Sequence, residues 1–575
     1  MIGLGVSKGI ALGRVCWLRK NTVLATDDPG IPVSDIPAEV AKFRESVKLA
    51  GEQVRVLSEK LALKSPEEAK IFQAHLLLLE DPELLSSVIG QIEKEALPAA
   101  KAVRASIAAF RQLFLALEDP NFRARAADIE DIGYRILLNI NGTLPLDLRT
   151  LEPGTILVAE ELTPSETAGL DPEHVAGFIT RLGGKTSHTA ILAKSLGIPA
   201  VVGCPDIEEI KEGDPVIVNG ETGEVFIRPT PERWAEAERR QERWLQRQQH
   251  YQSELNLPGE TPDGHRLVLA ANLAHPSEAR TAMAAGAEEV GLFRTEFLYL
   301  GRETAPSEEE QFRAYRAVVE GMAGRPVVLR TLDVGGDKKV GYLGLAKEEN
   351  PFLGYRALRI CLQEPEIFVT QLRAMLRASA FGPLRIMFPM VCGLEEVRRA
   401  KEYVYKVMAQ LSHAGISFDP KIQLGIMIEI PSAAILADDL AQEVDFFSIG
   451  TNDLVQYTLA VDRQNPKLAS LYQMNHPAVI RLIDVVVKAA HRLGKPVGVC
   501  GEMAGQLSGA LVLLGLGIDE LSMSPTVLSE VKSLIRQTPW QVAQSIAEEV
   551  LKFKTTSEVE ESLLRYLAQL NINDV

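Results

Sequence analysis

The chain has 575 residues, 46% hydrophobic and 24% charged, a globular composition too long for one ordinary core; two or three domains are expected. Its formal net charge of −16 disfavours nucleic-acid or anionic-membrane partners, and it contains no apolar run of the length a membrane span needs, about 18 residues. The five cysteines (Cys16, Cys204, Cys361, Cys392 and Cys500) form no CxxC pair, so neither a disulfide framework nor a zinc site is expected.

The opening MIGLGVSKGIALGRV lacks the basic-then-apolar layout of a signal peptide and reads as a strand broken by glycine, with a cytoplasmic location as the expectation. From about residue 34 to 142 glycine is sparse, and runs such as KIFQAHLLLLEDPELLSSVIGQIEKEA place apolar residues at helical spacing. Short β-rich runs then return (GTILVAEEL, VAGFITRLG, DPVIVNGETGEVFI), with the texture of the first twenty residues. The simplest organisation is an α/β domain made of residues 1–20 and 144–228, with a helical subdomain, 21–143, inserted into it. Residues 229–260 read as a charged, Gln-rich linking helix with Trp234 and Trp244 near its ends, closed by NLPGETPDG. Across 261–575, eight short apolar runs alternate with helical segments: RLVLAANLA, EEVGLFRTE, PVVLRTLDVGG, LRIMFPMV, IQLGIMIEI, DFFSIGTND, PVGVCGEMAG and DELSMS. That count fits a (β/α)₈ barrel, whereas a doubly wound sheet rarely needs eight such units.

In such a barrel the C-terminal strand ends form the active rim. Here they carry Arg294 and Glu296, Arg330 and Asp333, Glu429, Asn452 and Asp453, then Cys500 and Glu502; Arg356 and Arg463 lie in nearby loops. Glu429 and Asp453, on successive strands, suit Mg²⁺, which keeps waters and substrate oxygens in the rest of its octahedron. Arg294, Arg330 and Arg463 add fork donors for a phosphate or carboxylate. A lone arginine more often only bridges strand to helix, but charges at successive strand ends point to a small phosphorylated anion. Cys500 reads equally well as a small buried hydrophobe or as a thiol that stays protonated at neutral pH, its ordinary pKa being about 8.5, and can donate a proton.

One histidine stands out. In GGKTSHTAILAKSLGIPA, His188 opens a short apolar helix that Thr186 or Ser187 can cap and Gly197 can stop. It could be a satisfied core residue, a metal ligand, a base for a serine, or a nucleophile whose phosphorylated form a helix N-terminus would stabilise. No nucleophile elbow supports the serine reading, and the acid pair suited to a metal is far away in sequence.

These motifs resemble those of the phosphoenolpyruvate–protein phosphotransferase family, Enzyme I of the bacterial sugar phosphotransferase system. The likeness runs from GVSKGIALG through LTPSETAGL and GGKTSHTAILAKSLGIPAVVG to GLFRTEFLYL, RTLDVGGDK, KEENPFLGYRALRI, DFFSIGTNDLVQYTLAVDR and GVCGEMAG. It implies a swivelling N-terminal domain carrying a phosphohistidine at His188, a helical subdomain that docks the carrier protein HPr, and a barrel that binds phosphoenolpyruvate and forms a homodimer. It implies substrate contacts at Arg294, Arg330, Asn452 and Arg463, Mg²⁺ ligands at Glu429 and Asp453, and a proton donor at Cys500. Thr167 matches a threonine that orients the histidine; Lys185 stands where the family usually has arginine, losing the planar fork. Arg356 is expected in support. Acidic residues Glu67, Glu68, Glu80, Asp81 and Glu83 are candidates to meet a basic carrier face. Pyruvate phosphate dikinase and phosphoenolpyruvate synthase pair similar domains but place an ATP-grasp domain ahead of the histidine domain, and no GxxxxGK[ST] motif is present here. A non-catalytic scaffold would be favoured by loss of His188 or the acid pair, and both are kept.

Overall fold

The structure is a computed structural model. It describes residues 1–18, 32, 35–62, 66–116, 120–143, 148–163, 166, 169–184, 187–336, 338, 340–346 and 348–570, without side chains at 60–62, 66–71, 120–124, 149, 188, 191–192 and 195. The chain divides into two compact units, Met1–Arg247 and Gln248–Val575, the point of division falling within the helix Pro231–Glu254.

In the first unit, β1 (Leu4–Ser7), β2 (Ile10–Leu18), β3 (Thr155–Ala159), β4 (Val175–Thr180), β5 (Ala200–Val202), β6 (Pro215–Asn219) and β7 (Val225–Ile227) form one sheet in the order β1-β5-β4-β3-β2-β6-β7. β2 to β5 run parallel; β1, β6 and β7 are antiparallel to their neighbours. The run TILVA is buried throughout because both faces of the sheet are covered. Leu157 and Ala159 pack with Phe178, Ala190 and Ala193, while Ile156 and Val158 pack with Val15, Ile179 and Val201. Between β2 and β3 the described residues form the α-helices Ile36–Ala62, Pro66–Leu79, Pro82–Glu95, Ala99–Leu115 and Pro120–Ile140. They share a core of their own, including Phe43, Val54, Phe72, Ile92, Val103 and Ile132. The third starts sharply because Asp81 accepts from the backbone N–H of Glu83 and Leu84 (2.8 and 3.0 Å) ahead of Pro82.

The second unit is a closed parallel barrel of β8 (Val268–Leu273), β9 (Glu289–Phe293), β10 (Val327–Arg330), β11 (Leu384–Phe388), β12 (Gln423–Ile428), β13 (Phe446–Ile449), β14 (Val497–Val499) and β15 (Glu520–Met523). Each of the eight apolar runs is a strand. Alternate residues point in and out: Phe446 lines the interior with Leu292, Val328, Met387, Met427 and Cys500, while Phe447 joins the shell packed against the helices. Among the described residues no helix is long and apolar enough to cross a membrane.

Candidate active site on the barrel rim and the His188 helix

Strand ends expose backbone and turn side chains toward one face, and on β9, β10 and β12 to β14 those turns carry charge. Arg330, the last residue of β10, is buried and donates to Glu296 Oε1 (2.7 Å), with Asp333 Oδ2 at 2.9 Å. Lys338 donates to the same Glu296 oxygen (2.6 Å) and to Asp333 Oδ2 (3.3 Å). It reaches back because Gly335 and Gly336 adopt positive φ (97° and 65°), and Gly335 and Lys338 exchange backbone hydrogen bonds of 3.1 Å. Arg356, 2% exposed, donates to Asp333 Oδ1 (3.0 Å) and to the Tyr457 hydroxyl (3.2 Å), and lies 3.5 Å from Asp453 Oδ1. Tyr457 in turn donates to the Phe352 carbonyl (2.5 Å).

Asn452 and Asp453 lie in the first turn of the helix Thr451–Leu459 after β13. Asn452 donates to Glu502 Oε1 (3.2 Å) and accepts from the Glu502 backbone N–H (2.8 Å), tying the β13 and β14 turns together. Arg463 Nη1 stands 3.9 Å from Asp453 Oδ2. Glu429 follows β12 and its Oε1 accepts from the backbone N–H of Met390 (2.6 Å). Arg294 follows β9, half-buried, close enough to Cys500 for its charge to lower the thiol pKa.

The electrostatics separate the carboxylates. Burial opposes the ionisation of Asp333, but Arg330, Arg356 and Lys338 together hold it well below the usual carboxylate range. Burial likewise opposes Glu296, and Arg330 and Lys338 overcome it. Glu429 goes the other way, pushed up to about 8 by burial and by the charges of Asp453 and Asp333, with Arg356 and Arg330 offsetting only part. Asp453 keeps a buried Oδ1 without a hydrogen-bond partner. Two buried oxygen donors, one left unsatisfied and one short of positive charge, fit a hard divalent cation. Among the described residues no group of three or more His, Cys, Asp and Glu is arranged to hold a metal. A cation here would take its remaining ligands from water and substrate. Burial first of all raises the Cys500 thiol to about 11, which keeps it protonated at neutral pH.

The rim thus brings together Arg330, Arg356, Glu429, Asn452, Asp453 and Arg463. Arg330 is no free fork, however, being clamped between two carboxylates. Sequence reasoning missed Lys338 and Tyr457. The Gly335–Gly336 pair was a legible signal that the chain folds back at Lys338; nothing local marks Tyr457, which meets Arg356 from 101 residues away.

His188 belongs to the other unit, as the first residue of the helix His188–Leu196. Ser187, in extended conformation, caps it by accepting from the Ala190 N–H (3.3 Å), and Gly197 (φ 67°) ends it. Ala190 and Ala193 are fully buried, and Thr189 donates to the Leu162 carbonyl (3.3 Å), fixing the helix start against Leu162. Thr167 and Lys185 lie outside the described residues, as do the side chains of His188, Glu67 and Glu68.

The chain matches family models described as PEP-utilising enzyme, N-terminal (residues 2–125), mobile domain (151–223) and PEP-binding domain (248–540). It is 45% identical over 559 residues to the phosphoenolpyruvate-protein phosphotransferase of Bacillus sp. (strain S), covering 97% of this chain and 96% of that one. Identity to the protein of that name from Staphylococcus carnosus is 44% over 568 residues, covering 98% of each chain. For that of Bacillus subtilis (strain 168) it is 45% over 560 residues, covering 97% of this chain and 98% of the relative. Motifs, barrel and near-full-length identity agree: the chain belongs to the phosphoenolpyruvate–protein phosphotransferase family of PEP-utilising enzymes.

Proposed function

We propose that the protein transfers the phosphoryl group of phosphoenolpyruvate to its own His188, releasing pyruvate, and then to a histidine of the carrier protein HPr, opening the sugar phosphotransferase sequence in the cytoplasm. The observation that carries this reading is the rim, where buried cations, the under-neutralised Glu429, the Asp453 carboxylate and a protonated thiol converge. Arg294, Asn452 and Arg463 bind the substrate's phosphate and carboxylate, with Arg330 adding positive charge from within its carboxylate clamp and Arg356 holding Asp453 in place. Glu429 and Asp453 are the residues that would hold Mg²⁺, which when bound neutralises phosphate charge and polarises its oxygens. His188 attacks through a neutral ring nitrogen, and the helix N-terminus favours the anion it then carries. Cys500 gives its proton to the enolate carbon, which becomes the methyl group of pyruvate.

In this reading residues 1–20 with 144–228 form the phosphohistidine domain and 21–143 dock HPr, through acidic side chains that include Glu80, Asp81 and Glu83. Residues 229–260 carry the hinge, and 261–575 bind substrate and pair two copies of the chain. Thr167 and Lys185 assist at the histidine. His188 must visit substrate and carrier in turn, so a crosslink that fixes the two units while leaving turnover intact would discard the swivel.

The test is incubation with labelled phosphoenolpyruvate and Mg²⁺. Acid-labile, base-stable label on the wild type and none on His188→Ala is the expected result. Label that requires ATP would instead indicate dikinase chemistry.

A further inference from the structure

A polar seam runs through the barrel interior on the side of Cys500 away from the rim. In register, Ser448 of β13 stands beside Gly498 of β14, and Gly498 beside Glu520 of β15. Gly498 presents no side chain, and a Cβ added to Gly291 of β9 would meet Glu520 Oε1 at 2.1 Å. Two glycines therefore clear the room that the Glu520 carboxyl occupies inside the barrel. A cavity of about 30 Å³ is lined by Glu520, Ser448, Gly291, Gly498, Phe446 and Arg385, among others. At roughly 10–15 Å³ of such volume per water, it holds two or three. The Ser448 hydroxyl is buried without a well-formed hydrogen bond, yet it lies near enough to the Cys500 thiol to lower its pKa. The seam continues along Ser522, which donates to Asn272 Oδ1 (2.7 Å), and Asn272, which donates to the Cys500 carbonyl (3.0 Å).

A thiol that protonates an enolate must recover its proton before the next turnover, and Cys500 is only 4% exposed. We propose that Glu520 reprotonates Cys500 after each turnover, through cavity water and the Ser448 hydroxyl, making the N-terminal mouth of the barrel a proton entry separate from the substrate face. This rests on the reading of Cys500 as proton donor. The steps balance. Cys500 S–H gives its proton to the enolate carbon and becomes a thiolate. Ser448 O–H passes its proton to that thiolate and is refilled from a cavity water, which takes the Glu520 carboxyl proton. The Glu520 carboxylate is reprotonated from solvent at the mouth.

The direction is downhill. Burial, reinforced by the charges of Glu289 on β9 and of Asp519, pushes Glu520 up to about 7, with Arg385 on β11 offsetting part. Arg385 is itself engaged by Glu289 at 3.2 Å. The thiol, at about 11, is the far stronger base once deprotonated.

Rapid-quench measurement of pyruvate, with phosphoenolpyruvate, Mg²⁺ and excess HPr, tests the route in Glu520→Gln and Ser448→Ala. The expected result is one pyruvate per site at close to the wild-type rate, followed by steady turnover at least tenfold slower. The wild-type steady rate falls as pH rises through about 7, and Glu520→Gln loses that limb. Wild-type steady rates and an unchanged pH profile in both variants would overturn the relay. So would loss of the first turnover with the profile intact, which marks a packing defect. Pyruvate formed at the wild-type rate by Cys500→Ala would overturn the reading of Cys500 beneath it.

Discussion

Replacing Glu296 with glutamine tests whether the rim cations are held by charge or merely by packing. One fully buried carboxylate oxygen takes both Arg330 (2.7 Å) and Lys338 (2.6 Å). Breaking a buried pair by neutralising one partner costs about 3–5 kcal/mol, because the other charge is left in a poor solvent. The low end applies here. Lys338 is 24% exposed at its side chain and can recover water, while Arg330, at 7%, retains Asp333 at 2.9 Å. A loss of about 3 kcal/mol corresponds to roughly hundredfold faster amide exchange at β10, read by hydrogen–deuterium exchange of the full chain. The effect has a pH sign. Glu296 titrates below its ordinary range in the folded state, so its stabilisation is present at neutral pH and disappears as pH falls through that depressed pKa. Wild type and variant therefore converge in acid. Exchange at β10 within threefold of wild type at pH 7, a difference of less than about 0.7 kcal/mol, would refute the charge-clamp argument.

Three further outcomes follow from the same geometry. Gly501→Ala places a Cβ 1.9 Å from Thr451 Oγ1 and 2.7 Å from its backbone nitrogen, forcing the β13 and β14 turns apart. It should cost about 1–3 kcal/mol in urea unfolding and reduce kcat/KM for phosphoenolpyruvate more than tenfold. Tyr457→Phe removes the hydroxyl that joins Arg356 to the Phe352 carbonyl, and should cost about 1–2 kcal/mol and raise the Mg²⁺ concentration for half-maximal turnover. Glu520 carries a folded pKa raised to about 7 from the ordinary carboxylate value of 4.5, so its burial lowers stability progressively as pH rises through that interval. Glu520→Gln should flatten this part of the stability–pH curve, measured by denaturant midpoints at fixed ionic strength.

Much of this architecture is legible in the chain because local rules and the fold agree. The eight apolar runs are each flanked by helical spacing, and Arg330, Glu429 and Cys500 stand where a strand stops, the one place in a barrel where a polar side chain can face substrate. What could not be read is who holds whom. Arg330 looks like a spare phosphate fork in sequence, but Glu296 occupies it from another strand end and Asp333 from its own turn, while Tyr457 meets Arg356 from far along the chain; those pairings depend on closure of the barrel. Glu520 was hidden differently. DELSMS shows an acid at a strand start, an ordinary solvent position, and only Gly291 and Gly498 on other strands make room for it inside. The His188 helix was visible from its cap and its stop, since Ser187 and Gly197 act within a few residues.

The placement of a helical subdomain between β2 and β3 also sets a schedule for synthesis. These strands are direct parallel neighbours, Arg14 opposite Thr155, yet the chain between them is long. On a ribosome adding about 5–20 residues per second, β2 waits roughly 7–27 seconds for its partner. The helices can form in the meantime, Ile36–Ala62 packing on Pro66–Leu79 and Ala99–Leu115 on Pro120–Ile140. During that interval IALGRVCWL lacks both of its sheet partners, β3 and β6, and its apolar side chains are open to association with other chains.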